Sequence, residues 1–162
     1  MKKKIITAED AGAIGHGIRE SSRKLVFTNG VFDLLHVGHV RYLQAARALG
    51  DALLVAINGD ESVRTLKGAG RPLNPAPDRA EVIAALECVD HVVIFPEVRA
   101  TQLLEIVQPA IYVKGGDYTA ATLHGEERSA LERIGTEIRI LPFEAGHSTS
   151  GLLEKIKERG GQ

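Results

Sequence analysis

The stretch FTNGVFDLLHVGHVRY, Phe27 to Tyr42, passes from one periodicity to another. Leu25, Val26 and Phe27 are apolar in succession, as at the end of a buried strand over 25–28. Asn29-Gly30 follows, a pair that tolerates positive φ and predicts a turn. From Gly38 onward Val40, Leu43, Ala46 and Leu49 recur at helical spacing, with Arg41, Gln44 and Arg47 between them. That predicts a helix over 38–49, ended by Gly50. His36 and His39 then lie at the helix start, on one face and one turn apart. A helix N-terminus offers unpaired N–H groups and a positive dipole end, so two imidazoles there make a site for polyphosphate. Gly38 lets a ligand approach the backbone closely.

Outward from this stretch, strands and helices alternate. ALLVAIN (52–58) is a continuous apolar run, as in a fully buried parallel strand. GDESVRTLKGAGRPLNP (59–75) reads as a long polar loop, and long loops in compact domains tend to be functional. Helical patterns cover 77–89, 99–108, 126–134 and 149–157; further strands are expected at 91–95, 111–114 and 137–143. Residues 1–23 read as an N-terminal helical extension capped by Thr7. Its thin apolar stripe of Ala11, Ile14 and Ile18 is weakened by Gly12, Gly15 and Gly17, which predicts a loose helix. The alternation predicts an α/β fold: a Rossmann-like, doubly wound parallel sheet of about five strands, as a single domain over 1–162. Ligands in such sheets bind beyond the carboxyl ends of the strands. Topology alone therefore brings together His36 and His39, Lys67, the segment 114–117 and the segment 147–150.

Composition narrows the function classes. The 162 residues have a formal net charge of -1, which argues against a broad nucleic-acid footprint but leaves room for a local phosphate pocket. At this size roughly 70% of the unfolded surface can be buried. A single cysteine, Cys88, allows no intrachain disulfide and reads as a buried structural thiol in a reducing compartment. No apolar run approaches the roughly 20 residues of a membrane span. Lys2-Lys3-Lys4 precedes only Ile5-Ile6, too short for a signal peptide, so the expected location is cytoplasmic.

Several groups are candidates for chemistry, each with a plainer reading beside it. Spacing alone leaves His36 and His39 as phosphate ligands, as capping or core histidines, or, with Asp33, as a zinc site. Thr28 to Phe32 is a tight connection leaving a strand. Lys67 sits in a Gly-rich loop, either solvated or closing over phosphates. Arg79 can bind phosphate bidentately or pair with Glu81 or Asp78. In VKGGDY the glycines, Gly116 among them, would admit a base or ribose, and Asp117 would accept from hydroxyl or amino groups; a plain turn is the alternative. Ser148 or Thr149 is a natural N-cap for the last helix. His16 reads as a surface residue, and His147 has no assigned role.

Taken together, VFTNGVFDLLHVGHVRYLQAARALGD, LKGAGRPLN, VKGGDY and HSTS occur in one order from about Lys24 to Ile156. NGVFDLLHVGH resembles the HxGH signature of the cytidylyltransferase-like nucleotidyltransferases, and the four blocks resemble the domain that makes ADP-heptose from D-glycero-β-D-manno-heptose 1-phosphate. The resemblance implies transfer of AMP from ATP to that sugar phosphate, with pyrophosphate released. Mg²⁺ would be carried by the triphosphate, with no dedicated protein metal site. It also implies roles for residues. His36, His39 and Lys67 would act in catalysis, and His39 would stabilise the transition state. Thr28, Asn29, Gly30, Val31, Phe32, Gly38, Gly116, Asp117, Ser148, Thr149 and Ser150 would line the nucleotide. Asp33, Lys67 and Arg79 would meet the sugar phosphate, Asp33 holding its own loop as the alternative. Arg71 is a weaker candidate. Phe143 stands where relatives acting on glycerol phosphate carry arginine, which favours the heptose branch. Ser150 replaces a common threonine and keeps a hydroxyl. Family members often associate near the active-site face, which implies a homodimer. The competing readings are a glycerol phosphate cytidylyltransferase, a synthetase of FAD, and a nucleotide-binding module without turnover.

Overall fold

A computed structural model describes residues 3–116, 119–142 and 145–161. Among them six parallel strands form one sheet: β1 (Ile5–Ile6), β2 (Leu25–Gly30), β3 (Ala52–Asn58), β4 (His91–Phe95), β5 (Ile111–Gly115) and β6 (Glu137–Leu141). Their order is β1-β4-β3-β2-β5-β6. The helices are α1 (Ala8–Glu20), α2 (Val37–Arg47), α3 (Asp60–Lys67), α4 (Ala76–Ala84), α5 (Thr101–Val107), α6 (Gly125–Ile134) and α7 (Thr149–Gly160).

Side-chain alternation along the strands explains why both faces are covered. Phe27, Leu54, Ala56 and Tyr112 pack with Ala11 of α1, Leu104 and Val107 of α5 and Leu131 of α6. Their neighbours Val26, Leu53, Val55 and Val113 point the other way, onto Leu43 and Ala46 of α2 and Ala80 and Ile83 of α4. All seven residues of β3 are buried, as the continuous apolar run predicts. From β2 the chain steps outward through β3 to β4, then returns to place β5 on the other side of β2. The winding reverses between β2 and β5, where such sheets open a crevice.

The sheet thus has six strands instead of about five, because Ile5 and Ile6 pair with Val92 and Val93 as an edge strand. The N-terminal helix is also tighter than its glycines suggest. Thr7 and Asp10 form a reciprocal capping box at its start. A Cβ on Gly15 would lie 2.2 Å from the Val107 carbonyl oxygen, so glycine is what allows α1 to approach α5 this closely. Arg19 Nη1 then donates to the Val107 and Gln108 carbonyls at 2.8 Å each, satisfying the end of α5.

Two local differences bear on the site. Residues 60–67 form α3 where composition predicts a loop. Asp60 and Glu61 begin it and Arg64 and Lys67 end it, matching the helix dipole, but only Val63 and Ser62 are buried, so its apolar signal is weak. Asn29 and Gly30 continue β2, and the positive φ expected at that pair falls on Phe32, at 49°. No described helix is long and apolar enough to cross a membrane.

Candidate active site

A cleft of about 440 Å³ opens at the carboxyl ends of β2, β3, β4 and β5. One wall is the start of α2. His36 is its N-cap, and the His36 Nδ1 accepts the Gly38 N–H at 3.1 Å. His39 Nδ1 accepts the His36 N–H at 3.3 Å. The imidazoles thus form a reciprocal cap, with ring centroids 3.9 Å apart. A nitrogen that accepts a backbone N–H carries no proton, so each neutral ring keeps its proton on Nε2. Burial, assisted by the charge of His36, pushes the His39 pKa down to about 4. Burial likewise lowers His36, assisted by His147. At neutral pH the pair offers two N–H donors without positive charge. The capping and phosphate-binding readings are therefore compatible.

Gly38 is buried beneath these rings. A Cβ there would lie 2.9 Å from both Cε1 and Nδ1 of His36 and 3.1 Å from the His147 Cβ. The His147 ring stacks on His36, with centroids 6.3 Å apart. His147 is thus brought to the site by the loop entering α7, a contact that no spacing in the sequence signals. At α7 itself Ser148 Oγ accepts the Gly151 N–H at 3.0 Å as the N-cap, while Thr149 and Ser150 line the cleft. Thr149 also donates to the Leu34 carbonyl at 3.4 Å, tying α7 to the loop before α2.

The floor comes from the end of β2. Asn29, Gly30, Val31 and Phe32 line the cleft. A Cβ on Gly30 would sit 3.0 Å from Phe32 Cε2, so glycine makes room for the ring, which packs edge-on against His39 at 5.5 Å. Thr28 is fully buried and works from below: Thr28 donates to the Tyr42 hydroxyl at 2.7 Å, and Tyr42 donates to the Val113 carbonyl at 3.2 Å. Burial raises the Tyr42 phenol to about 12, so it stays protonated.

On the other side, Lys67 and Arg71 line the cleft. Lys67 closes α3 instead of riding in a loop. Asp33 is 5% exposed, and its carboxylate receives Leu73 N–H, Asn74 N–H and Arg71 Nε at 2.8 to 3.0 Å. Burial pushes this carboxyl up, but those donors outweigh it and hold the pKa below the ordinary carboxylate value. Of its two expected roles, holding its own loop is the one that the contacts describe, and they also bind its oxygens away from a zinc site. Arg79 departs from expectation. At 2% exposure it gives Nε to the Asn74 carbonyl, Nη1 to the Val31 carbonyl and Nη2 to Asp60 Oδ1, at 2.6 to 2.9 Å. It therefore braces the site from within and does not line the cleft; its anionic partner is Asp60, not Glu81 or Asp78.

Gly115 lines the cleft where Gly116 was expected. Gly116 takes a positive φ of 86° and donates to the Leu141 carbonyl. Asp117 and Phe143 lie outside the described residues. Among the lining residues outside the set expected from sequence are Asn58, Arg99, Lys114 and Glu127. Lys114 belongs to a stretch already marked by its position after a strand; Arg99 and Glu127 carry no local signal, since each looks like an ordinary surface charge. Burial lowers the Lys114 pKa; Glu127 offsets this and Arg99 adds to it. Among the described residues no group of three or more His, Cys, Asp or Glu side chains is placed to hold a metal ion.

Residues 27–154 match the family model described as cytidylyltransferase-like. The chain is 49% identical over 154 residues to the bifunctional protein HldE of Geotalea uraniireducens, covering 95% of this chain and 31% of that relative. It is 51% identical over 140 residues to the bifunctional protein HldE of Methylococcus capsulatus, covering 86% of this chain and 29% of the relative. The chain thus spans under a third of the length of these relatives. A crystal structure of the lipopolysaccharide core biosynthesis protein from Thermoplasma volcanium superposes with a TM-score of 0.62 at 29% identity, over 75% of this chain and 97% of that one. Pantoate-beta-alanine ligase from Francisella tularensis, at 16% identity, 93% coverage of this chain, 70% of that one and a TM-score of 0.61, shares the fold. With its HxGH histidines at the first helix start of a doubly wound sheet, the chain belongs to the cytidylyltransferase-like family.

Proposed function

We propose that this chain is a nucleotidyltransferase that moves AMP from ATP to D-glycero-β-D-manno-heptose 1-phosphate, releasing pyrophosphate. The acceptor is read from the resemblance of the four sequence blocks, and the bifunctional HldE relatives match over the same stretch. The observation that carries the reaction type is the state of the two histidines. Both Nδ1 atoms are tied to backbone N–H groups at the start of α2, leaving neutral Nε2–H donors.

In this reaction a phosphate oxygen of the acceptor attacks the α-phosphorus of ATP. The bond from that phosphorus to the bridging oxygen breaks, and pyrophosphate leaves with the electron pair. Charge grows on the α-phosphoryl and bridging oxygens, so fixed donors aimed there lower the barrier. His39 meets that charge from the cleft wall, with the His36 ring tilted against it at 3.9 Å. Thr149 and Ser150 add hydroxyls at the start of α7, and Lys67 adds a point charge. No covalent intermediate on the protein is needed. Mg²⁺ would travel with the triphosphate oxygens and neutralise part of their charge; Asp33, whose oxygens are already engaged, is not a ligand for it.

The test is an assay of pyrophosphate release with ATP or CTP, paired with heptose 1-phosphate, glycerol phosphate or FMN. Turnover confined to ATP with heptose 1-phosphate is expected. Release with CTP and glycerol phosphate, with FMN, or with no pair at all would defeat the proposal.

A further inference from the structure

Glu127 is only 4% exposed, yet it lines the cleft. It stands on α6, on the sheet face that carries α1 and α5, across the strand ends from the histidines of α2. Its Oε1 accepts the Ala100 N–H at 3.0 Å. Arg99 and Lys114 line the same corner. Asn58 steadies it, donating towards the carbonyls of Glu97 and Val98 at 3.4 and 3.5 Å.

The transferase reaction must hold two anions at once, and the triphosphate is served by the starts of α2 and α7. A second phosphate needs cations of its own. Arg71 is bound to Asp33 on one side of the cleft, and Arg99 and Lys114 line the cleft on the other. A buried carboxylate beside a phosphate site is unfavourable unless the ligand brings donors to it. A carboxylate only accepts, and sugar hydroxyls supply the charge-assisted O–H donors that complete it. An adenine ring would instead favour apolar or aromatic walls.

From this arrangement we infer that the Arg99, Lys114 and Glu127 corner is the acceptor subsite, the two cations holding the acceptor phosphate and Glu127 selecting a polyhydroxylated acceptor through its hydroxyls. This rests on the transferase reading. It makes Glu127 a specificity determinant that the family signature does not contain. Capping Ala100 and balancing Lys114 would be its only tasks if the role were structural.

Glu127→Gln keeps an oxygen for Ala100 and loses the charge. Titrating heptose 1-phosphate into wild type and variant, with a non-hydrolysable ATP analogue present, measures acceptor binding without turnover; KM values for acceptor and ATP follow by pyrophosphate assay. The acceptor Kd and KM are expected to rise about tenfold or more, with ATP KM within about twofold and the melting temperature nearly unchanged. A deoxy acceptor lacking the hydroxyl that Glu127 reads should lose about the same factor on wild type and little more on the variant. Unchanged acceptor affinity overturns the inference. So does equal weakening of ATP and acceptor with a lowered melting temperature, which marks a structural role. Failure of wild type to bind the sugar phosphate also overturns it. Binding without pyrophosphate release would sink the transferase reading alone.

Discussion

The His36 and His39 rings lie 3.9 Å apart, and each uses Nδ1 to accept a backbone N–H in the first turn of α2. One side of each ring therefore builds the helix, and Nε2 takes no part in the cap. His39→Asn keeps an oxygen able to accept the His36 N–H but removes the Nε2–H donor. It is expected to lower kcat by about two to three orders of magnitude, the usual loss for one donor to a developing oxyanion. Helical content by circular dichroism should be retained. Near-normal kcat would remove His39 from the chemistry.

The same burial sets a pH signature in the free protein. His39 titrates near 4 when folded against an ordinary value of 6.5. Between those values the unfolded chain holds a proton that the folded chain lacks, so stability falls as pH drops from 6.5 towards 4. His36 acts in the same direction. Asp33, whose pKa is also lowered, acts in the same direction, but its contribution is lost only as pH falls through the ordinary value of 3.8 and below, outside this window. Urea unfolding from pH 7 to pH 4.5 should show a steeper decline for wild type than for His39→Gln; parallel slopes would contradict the shift.

Gly38 tests how closely the rings are packed. Gly38→Ala puts a methyl against the His36 ring and the His147 Cβ. Displacement of His36 is expected to cost at least about tenfold in kcat/KM, with a stability loss of about 1 to 3 kcal/mol. Full activity in this variant would mean that the histidine column tolerates a shift, against the packing seen.

Arg79 is a brace, so its loss should act on the fold first. Arg79→Met removes the donor to the Val31 and Asn74 carbonyls and leaves Asp60 Oδ1 with only the Ala76 N–H. A loss of about 3 to 5 kcal/mol is expected in denaturant unfolding. A variant of normal stability with a raised acceptor KM would return Arg79 to the substrate site.

Local pattern carried much of this protein. Unbroken apolar runs such as ALLVAIN demand burial on both faces, and their alternation with helical patterns leaves a parallel doubly wound sheet as the economical solution. The HxGH histidines were legible because their partners lie within three residues along one helix start, where spacing fixes geometry. Short apolar content hid α3, and two residues were too few to announce β1 as a strand.

Sequence alone thus determined the sheet type, the edge at which the cleft opens and the pair of imidazoles at the helix start beside it. Tertiary structure alone decided which charges turn inward. Arg79 meets Val31 from 48 positions away, Asp33 meets Asn74 from 41, and Glu127 meets Ala100 from 27. Charged side chains at such separations have no periodicity to read, and only the folded chain sets whether each faces water, a carbonyl or the cleft.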